Sequence, residues 1–169
     1  VFGIKVGIAV ILLDVGKGAA AVLIAGNFPL FGSIEAPLFS PDVLMLSAGL
    51  AAVLGHIWTI FASFRGGKGV AAAAGMLLAI YPAAVGSCAI IFAAVLLLSG
   101  IVSLSSIITA ICFPFVLLFL NYMELSESSS ILIGASIPIA LLILFTHRSN
   151  IARLFRGEEK RIFGQRKKN

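Results

Sequence analysis

Residues 55–75 read GHIWTIFASFRGGKGVAAAAG, and the reading of this stretch decides how the rest of the chain is understood. One apolar segment of membrane grade runs into it and another runs out. Between them Gly66, Gly67 and Gly69 surround Lys68, with Arg65 just upstream. Glycine turns tightly and lets backbone N–H groups approach a ligand with no Cβ in the way. Such N–H groups, two cations and the positive end of a following helix suit an anion, above all a phosphate. The plainer reading of the same residues is a tight turn whose cations only set membrane topology. A Walker A loop is excluded. Ala62 stands where its first glycine belongs, and Gly69 follows Lys68 in place of Ser or Thr.

Working outward, composition fixes the class. The 169 residues are 60% hydrophobic and 11% charged, with a mean hydropathy of +1.15, whereas charged residues make up about a quarter of a soluble domain. The apolar runs are continuous rather than alternating, which selects helices over a membrane β-barrel. An all-α, polytopic transmembrane helix bundle of about six membrane segments is therefore expected, as one domain over 1–169 with a basic cytoplasmic tail at 160–169. The net charge of +5 is not a nucleic-acid footprint, because the cations gather in two places without interleaved aromatics. Cys88 and Cys112 lie in apolar runs with no CxxC spacing and read as small buried hydrophobes. No His or carboxylate cluster has ligand spacing, so neither metal nor cofactor is expected.

The first span is read at 6–25, close to the roughly 20 residues a bilayer requires. It carries Asp14 and Lys17, whose i, i+3 spacing puts them on one helix face. Two opposite charges in a span must be paired, buried in the bundle or near an interface. They read either as an ion pair packing helices or as support for the active site. A second span follows at 43–60. The segment at 70–80 is Ala-rich, short for a span and broken by Pro82, and 83–99 is another apolar helix. The GIVSLSS run at 100–106 reads as a brief polar interruption. It precedes a helix at 107–120 with a kink at Pro114, and 131–145 is the last span. The chain opens at Val1 almost directly in an apolar run, with no charged leader region. It reads as N-terminally truncated.

Charge bias orients these segments. The loops at 26–42 and 121–130 carry Glu35, Asp42, Glu124 and Glu127 and no Lys or Arg, so they are expected outside. The glycine loop and the C-terminal region hold the cations, so they are expected in the cytoplasm. Counting spans, with an out-and-in hairpin across Pro82, gives the same answer. On this topology the glycine loop, the SLSS turn and the basic C-terminal region all lie at one membrane face.

Two further polar patches complete the candidates. Ser103, Ser105 and Ser106 read either as caps of a helix starting near Ile107 or as donors to a phosphate oxygen. In HRSNIARLFRGEE, at 147–159, the residues His147, Asn150, Arg153 and Leu154 fall on one helical face by i, i+3, i+4 spacing. That stripe joins a base or donor, an amide and a guanidinium. The far tail, 161–169, reads as an interfacial segment held by anionic lipids. His56, shortly before the glycine loop, reads either as a satisfied core histidine or as a brace for that loop.

These segments are where the chain resembles a known family, the integral-membrane glycerol-3-phosphate acyltransferases that use acyl-phosphate as donor (the PlsY family). The family's GHxxPxFxxFxGGKGVAT motif appears at 55–72, its SLxS element at 103–106, and its HRxNIxRLxxGxE motif in full at 147–159. The run LLDVGKG at 12–18 is similar to its DxxKG helix. Thr59 replaces the usual Pro and Ala72 the usual Thr. The family's first motif, an SGNxGATNxxR loop after an initial span, is absent from the sequence and is expected to precede Val1.

The resemblance implies transfer of a fatty acyl group from acyl-phosphate to the 1-hydroxyl of sn-glycerol 3-phosphate, giving lysophosphatidic acid and phosphate, the first step of bacterial phospholipid synthesis. It implies Lys68, Ser103, His147 and Asn150 as catalytic residues. Arg65, Gly66, Gly67, Gly69, Ser106, Arg148 and Arg153 would hold phosphate, with His56, Asp14, Lys17 and Glu159 in support. The partners are then acyl-phosphate, glycerol 3-phosphate and membrane lipids, with no nucleic acid, for a monomer in the bacterial inner membrane. Direct attack on the mixed anhydride needs no acyl-enzyme. The His-x4-Asp pair of another acyltransferase class is missing, since Phe61 and Ala152 stand at the Asp positions. The alternative is a small phosphate transporter or channel. It is disfavoured because the polar motifs cluster at one face and no internal repeat is found.

Overall fold

A computed structural model describes residues 3–27, 40–125 and 130–162. The loop at 28–39 with Glu35, the segment with Glu127, and the end of the tail with Arg166, Lys167 and Lys168 lie outside the described residues. All regular structure in the described part is helical: α1 (Gly3–Gly26), α2 (Pro41–Ile57), a 3-10 turn (Ile60–Ala62), α3 (Val70–Ile80), α4 (Pro82–Ser99), α5 (Val102–Tyr122), α6 (Ser130–Thr146) and α7 (Arg148–Phe155).

Local chemistry sets these boundaries. Ser40 caps α2, its hydroxyl accepting from the Val43 N–H, with Pro41 at the first helical position and Asp42 in the first turn, where an acid suits the helix dipole. Pro82 ends α3 and opens α4, as its missing N–H allows. α1, α4 and α5 are long and apolar enough to cross a membrane, and α6 joins them if its 61° bend into α7 is counted as one broken span. α2 and α3 are shorter. At 1.5 Å per residue the 11 residues of α3 reach about 16 Å, half the hydrocarbon thickness. Large apolar side chains face outward, among them Leu13 (73% exposed) and Leu98 (89%). Lipid rather than water suits such a surface.

The structure corrects several expected boundaries. α2 stops at Ile57, three residues before the expected end, because Trp58 leaves the helical region (φ −116°, ψ 63°). The SLSS run is helix, not an interruption. α5 begins at Val102 with Ile101 as an uncapped, extended N-cap, so the serines do not cap a helix starting at Ile107. Instead the Ser105 and Ser106 hydroxyls donate to the Ile101 and Val102 carbonyls four residues back, a bond that fits inside a helix. α5 continues through Pro114 to Tyr122, taking the first two residues of the expected polar loop.

The chain falls into two compact units, Val1–Val85 with Ser129–Leu132, and Gly86–Ser128 with Ile133–Asn169. In the first, α1, α2 and α3 pack against one another. Small residues let the backbones approach, as in membrane helix pairs. A Cβ on Gly18 would fall 2.1 Å from the Ala72 carbonyl oxygen, and one on Gly75 would fall 1.9 Å from that of Val15. Gly49 makes room for Met76 and Val22, both fully buried. In the second unit α5 packs on α7, and the Ile162 N–H donates to the Gly100 carbonyl (2.7 Å), tying the segment after α7 to the start of α5.

Candidate functional site

In the first unit the glycine turn is built on the end of α2. Ser63 and Phe64 take left-handed φ values (51° and 61°), costly for residues with a Cβ. The chain then doubles back, and the Gly66 and Gly67 N–H groups donate to the Ile57 and His56 carbonyls at 3.0 and 3.1 Å. A Cβ on Gly66 would fall 1.9 Å from the His56 carbonyl oxygen, so only glycine fits this close approach. This corrects the expectation that all the loop amides serve an anion, because two of them satisfy the last turn of α2. The donors left to a ligand are at the start of α3. There Gly69, at φ +83°, is the N-cap, and the first-turn N–H groups of Val70 and Ala71 have no acceptor within the helix. Arg65 and Lys68 are exposed beside them.

His56 sits behind this turn. Lys17 Nζ lies 2.6 Å from Asp14 Oδ1 and 2.5 Å from His56 Nδ1. Asp14, Lys17 and His56 therefore form one cluster. No sequence spacing announces it, since Lys17 and His56 are 39 residues apart.

In the second unit Glu159 is the hub. Its Oε1 accepts from Ser103 Oγ (2.7 Å) and Asn150 Nδ2 (2.6 Å), and its Oε2 accepts from Arg153 Nε (2.6 Å). Burial alone would raise the Glu159 carboxyl. Hydrogen bonds from Arg153, Ser103 and Asn150, with the Arg153 charge, outweigh it and pull the group down to about 2. Asn150 is buried, and its Oδ1 has no donor among the described residues. A buried acceptor left so costs about 1–3 kcal/mol, which a donor hydroxyl would relieve.

His147 departs from the expected helical stripe. It is the N-cap of α7, at the bend where α6 ends, so only Asn150 and Arg153 share the α7 face that meets Glu159. The buried ring has Nδ1 at 2.8 Å from the Ile143 carbonyl oxygen. A carbonyl only accepts, so Nδ1 carries a proton and donates. Arg148 also stands apart. It donates to the Phe145 carbonyl (3.1 Å) and lies over the Phe145 ring, 4.6 Å from its centroid. Ser106 spends its proton on Val102, leaving its oxygen to accept. The sequence had marked Glu159 only as a support; its three-way role depends on the fold bringing Ser103 to it across 56 positions.

An apolar helical protein with a glycine–lysine turn at a helix N-terminus, and with an amide and a guanidinium braced by an acid, is of the class of membrane proteins that carry groups suited to an anion such as a phosphate. The comparison with known proteins sharpens this. Residues 1–157 match the family model described as glycerol-3-phosphate acyltransferase, and the chain belongs to that family. It is 40% identical to the glycerol-3-phosphate acyltransferase of Chlorobium luteolum, over 98% of this chain and 79% of the relative. It is 43% identical to that of Synechococcus sp. (strain CC9902), over 92% of this chain and 70% of the relative. Crystal structures of PlsY (YgiH), an integral membrane glycerol 3-phosphate acyltransferase, match at 36% identity. The glycerol 3-phosphate form has a TM-score of 0.78, covering 96% of this chain and 74% of that one. The lysophosphatidic acid form has a TM-score of 0.76, covering 95% and 74%. Family membership favours the enzyme over the transporter.

Proposed function

We propose that this protein transfers a fatty acyl group from acyl-phosphate to the 1-hydroxyl of sn-glycerol 3-phosphate, releasing lysophosphatidic acid and inorganic phosphate at the start of bacterial phospholipid synthesis. One observation carries the reading. The similar PlsY structures were obtained with glycerol 3-phosphate and with lysophosphatidic acid, two molecules that differ by one acyl group. An acyl-phosphate donor suits direct attack by the hydroxyl, because phosphate is already a good leaving group. The 1-hydroxyl attacks the acyl carbon, the bond to the phosphate oxygen breaks, and a phosphate oxygen takes the proton.

The protein then supplies position and charge. Lys68 and Arg65, with the amides of Gly69, Val70 and Ala71, hold a phosphoryl group. In the second unit Asn150, held by Glu159, offers Oδ1 to a substrate hydroxyl, with Arg153 on the same carboxylate and His147 at the N-cap of the same helix. Gly66 and Gly67 shape the turn rather than donate. We read the chain as one monomeric acyltransferase domain in the inner membrane, with lipid around it. The lysines and arginines of the glycine turn and the basic tail support a cytoplasmic position for both.

Lys68→Ala in the full chain should abolish transfer while membrane insertion and melting behaviour persist. Near-normal turnover would refute the assignment.

A further inference from the structure

The cluster behind the glycine turn has a directional chemistry. An ammonium has protons and no lone pair, so with Lys17 Nζ 2.5 Å away His56 Nδ1 must be the acceptor. The single proton of the neutral ring is then on Nε2. Asp14 Oδ1, 2.6 Å from Lys17 Nζ and 3.2 Å from His56 Nδ1, balances the ammonium inside an apolar helix. The opposite edge of the ring meets the turn, where a Cβ on Gly67 would fall 2.0 Å from Nε2. The His56 carbonyl also accepts the Gly67 N–H. His56 therefore grips the turn by ring and by backbone, and α1 decides which way the ring faces. An ion pair that merely packed helices would have no need to end on an imidazole laid over a substrate loop.

We propose that His56 is a positioning residue for acyl transfer, held as its Nε2–H tautomer by the Asp14–Lys17 pair so that the ring fixes the path of the Gly66–Gly69 turn. The proposal rests on the reading that this turn holds a substrate phosphate. His147 supplies an internal contrast, since its Nδ1 faces a carbonyl and must carry the proton. The chain has only these two histidines, and their Nδ1 atoms face opposite kinds of partner, an ammonium at His56 and a carbonyl at His147.

The test uses the full chain in lipid nanodiscs. Nitrogen NMR of ¹⁵N-histidine-labelled protein should show one ring of each tautomer, with the Nε2–H ring assigned to His56 by its persistence in His147→Gln. In Lys17→Met that ring should shift toward the Nδ1–H form, donating to Asp14. In the same variant KM for glycerol 3-phosphate or acyl-phosphate should rise about tenfold with a smaller change in kcat, and Lys17→Arg should restore it. His56→Ala should give a similar rise, and the double variant should be no worse than His56→Ala alone, as coupled positions require. A His56 ring protonated on Nδ1 in the unaltered protein, or an unchanged KM in Lys17→Met, would overturn the proposal. Should His56→Ala fail to fold, the Lys17 variants and the unaltered spectrum still decide. If Lys68→Ala leaves both KM values unchanged, the phosphate reading of the turn fails by itself, whatever the tautomers are.

Discussion

At Gly67 a single methyl group would have to occupy the place of the His56 imidazole, and at Gly66 it would meet a carbonyl oxygen. The second clash is with backbone, which cannot swing aside as a ring can. Gly66→Ala is therefore expected to cost more activity than Gly67→Ala, and both far more than Gly55→Ala, which meets nothing within 4 Å. Initial-rate assays on the three variants check the order. Ser63 is the converse case. Its left-handed φ of 51° costs a residue with a Cβ about 1–2 kcal/mol. Ser63→Gly should recover part of that, seen as a raised melting temperature in detergent.

Glu159 gives the clearest pH dependence. Its folded-state carboxyl, at about 2, lies below the ordinary value of 4.5. The stability it contributes is thus fully present above the ordinary value and is lost as pH falls through the folded one. Melting temperature should drop between about pH 5 and pH 2, and Glu159→Gln should melt lower at neutral pH with a shallower slope across that window. An equal slope in the variant would show that other carboxyls govern the acid transition.

At the scale of elements, the crossing of α1 on α3 depends on two glycines at one contact. Gly18→Ala and Gly75→Ala each push a methyl into the carbonyl of the facing helix and should destabilise by about 1–3 kcal/mol, as overpacking does. Chemical or thermal unfolding in detergent measures this. Gly134→Ala in α6, with nothing within 4 Å, is the control. α1 also carries Lys17 to His56 on α2, so a shift of α1 should also lower affinity for substrate. Helix boundaries show what a sequence conveys about elements. The break at Pro82 is a property of one residue, and α3 was legible to the residue. The start of α5 was not, because Ser103, Ser105 and Ser106 look equally suited to a cap and to back-bonding inside a helix.

At the scale of the molecule, the basic segment after α7 and the glycine turn are expected on the cytoplasmic side. Lys160→Cys should react with a membrane-impermeant maleimide only after the cell membrane is opened. Labelling in intact cells would reverse the assigned orientation. The membrane class and the family were legible because they rest on features additive along the chain. These are apolar runs, charge bias, and motifs whose residues lie within a few positions of one another.

Composition and local motif thus determined a multi-span helical protein, a glycine–lysine turn and an HRxNIxRL segment. These follow from hydropathy and short-range backbone chemistry, which every residue carries with it. Tertiary structure decided which groups are already engaged: Gly66 and Gly67 amides turned inward to α2, Lys17 set on His56, and Ser103, Asn150 and Arg153 gathered on Glu159. Hydrogen bonds between residues 39 or 56 positions apart form only when packing brings them within about 3 Å, and no linear spacing encodes that.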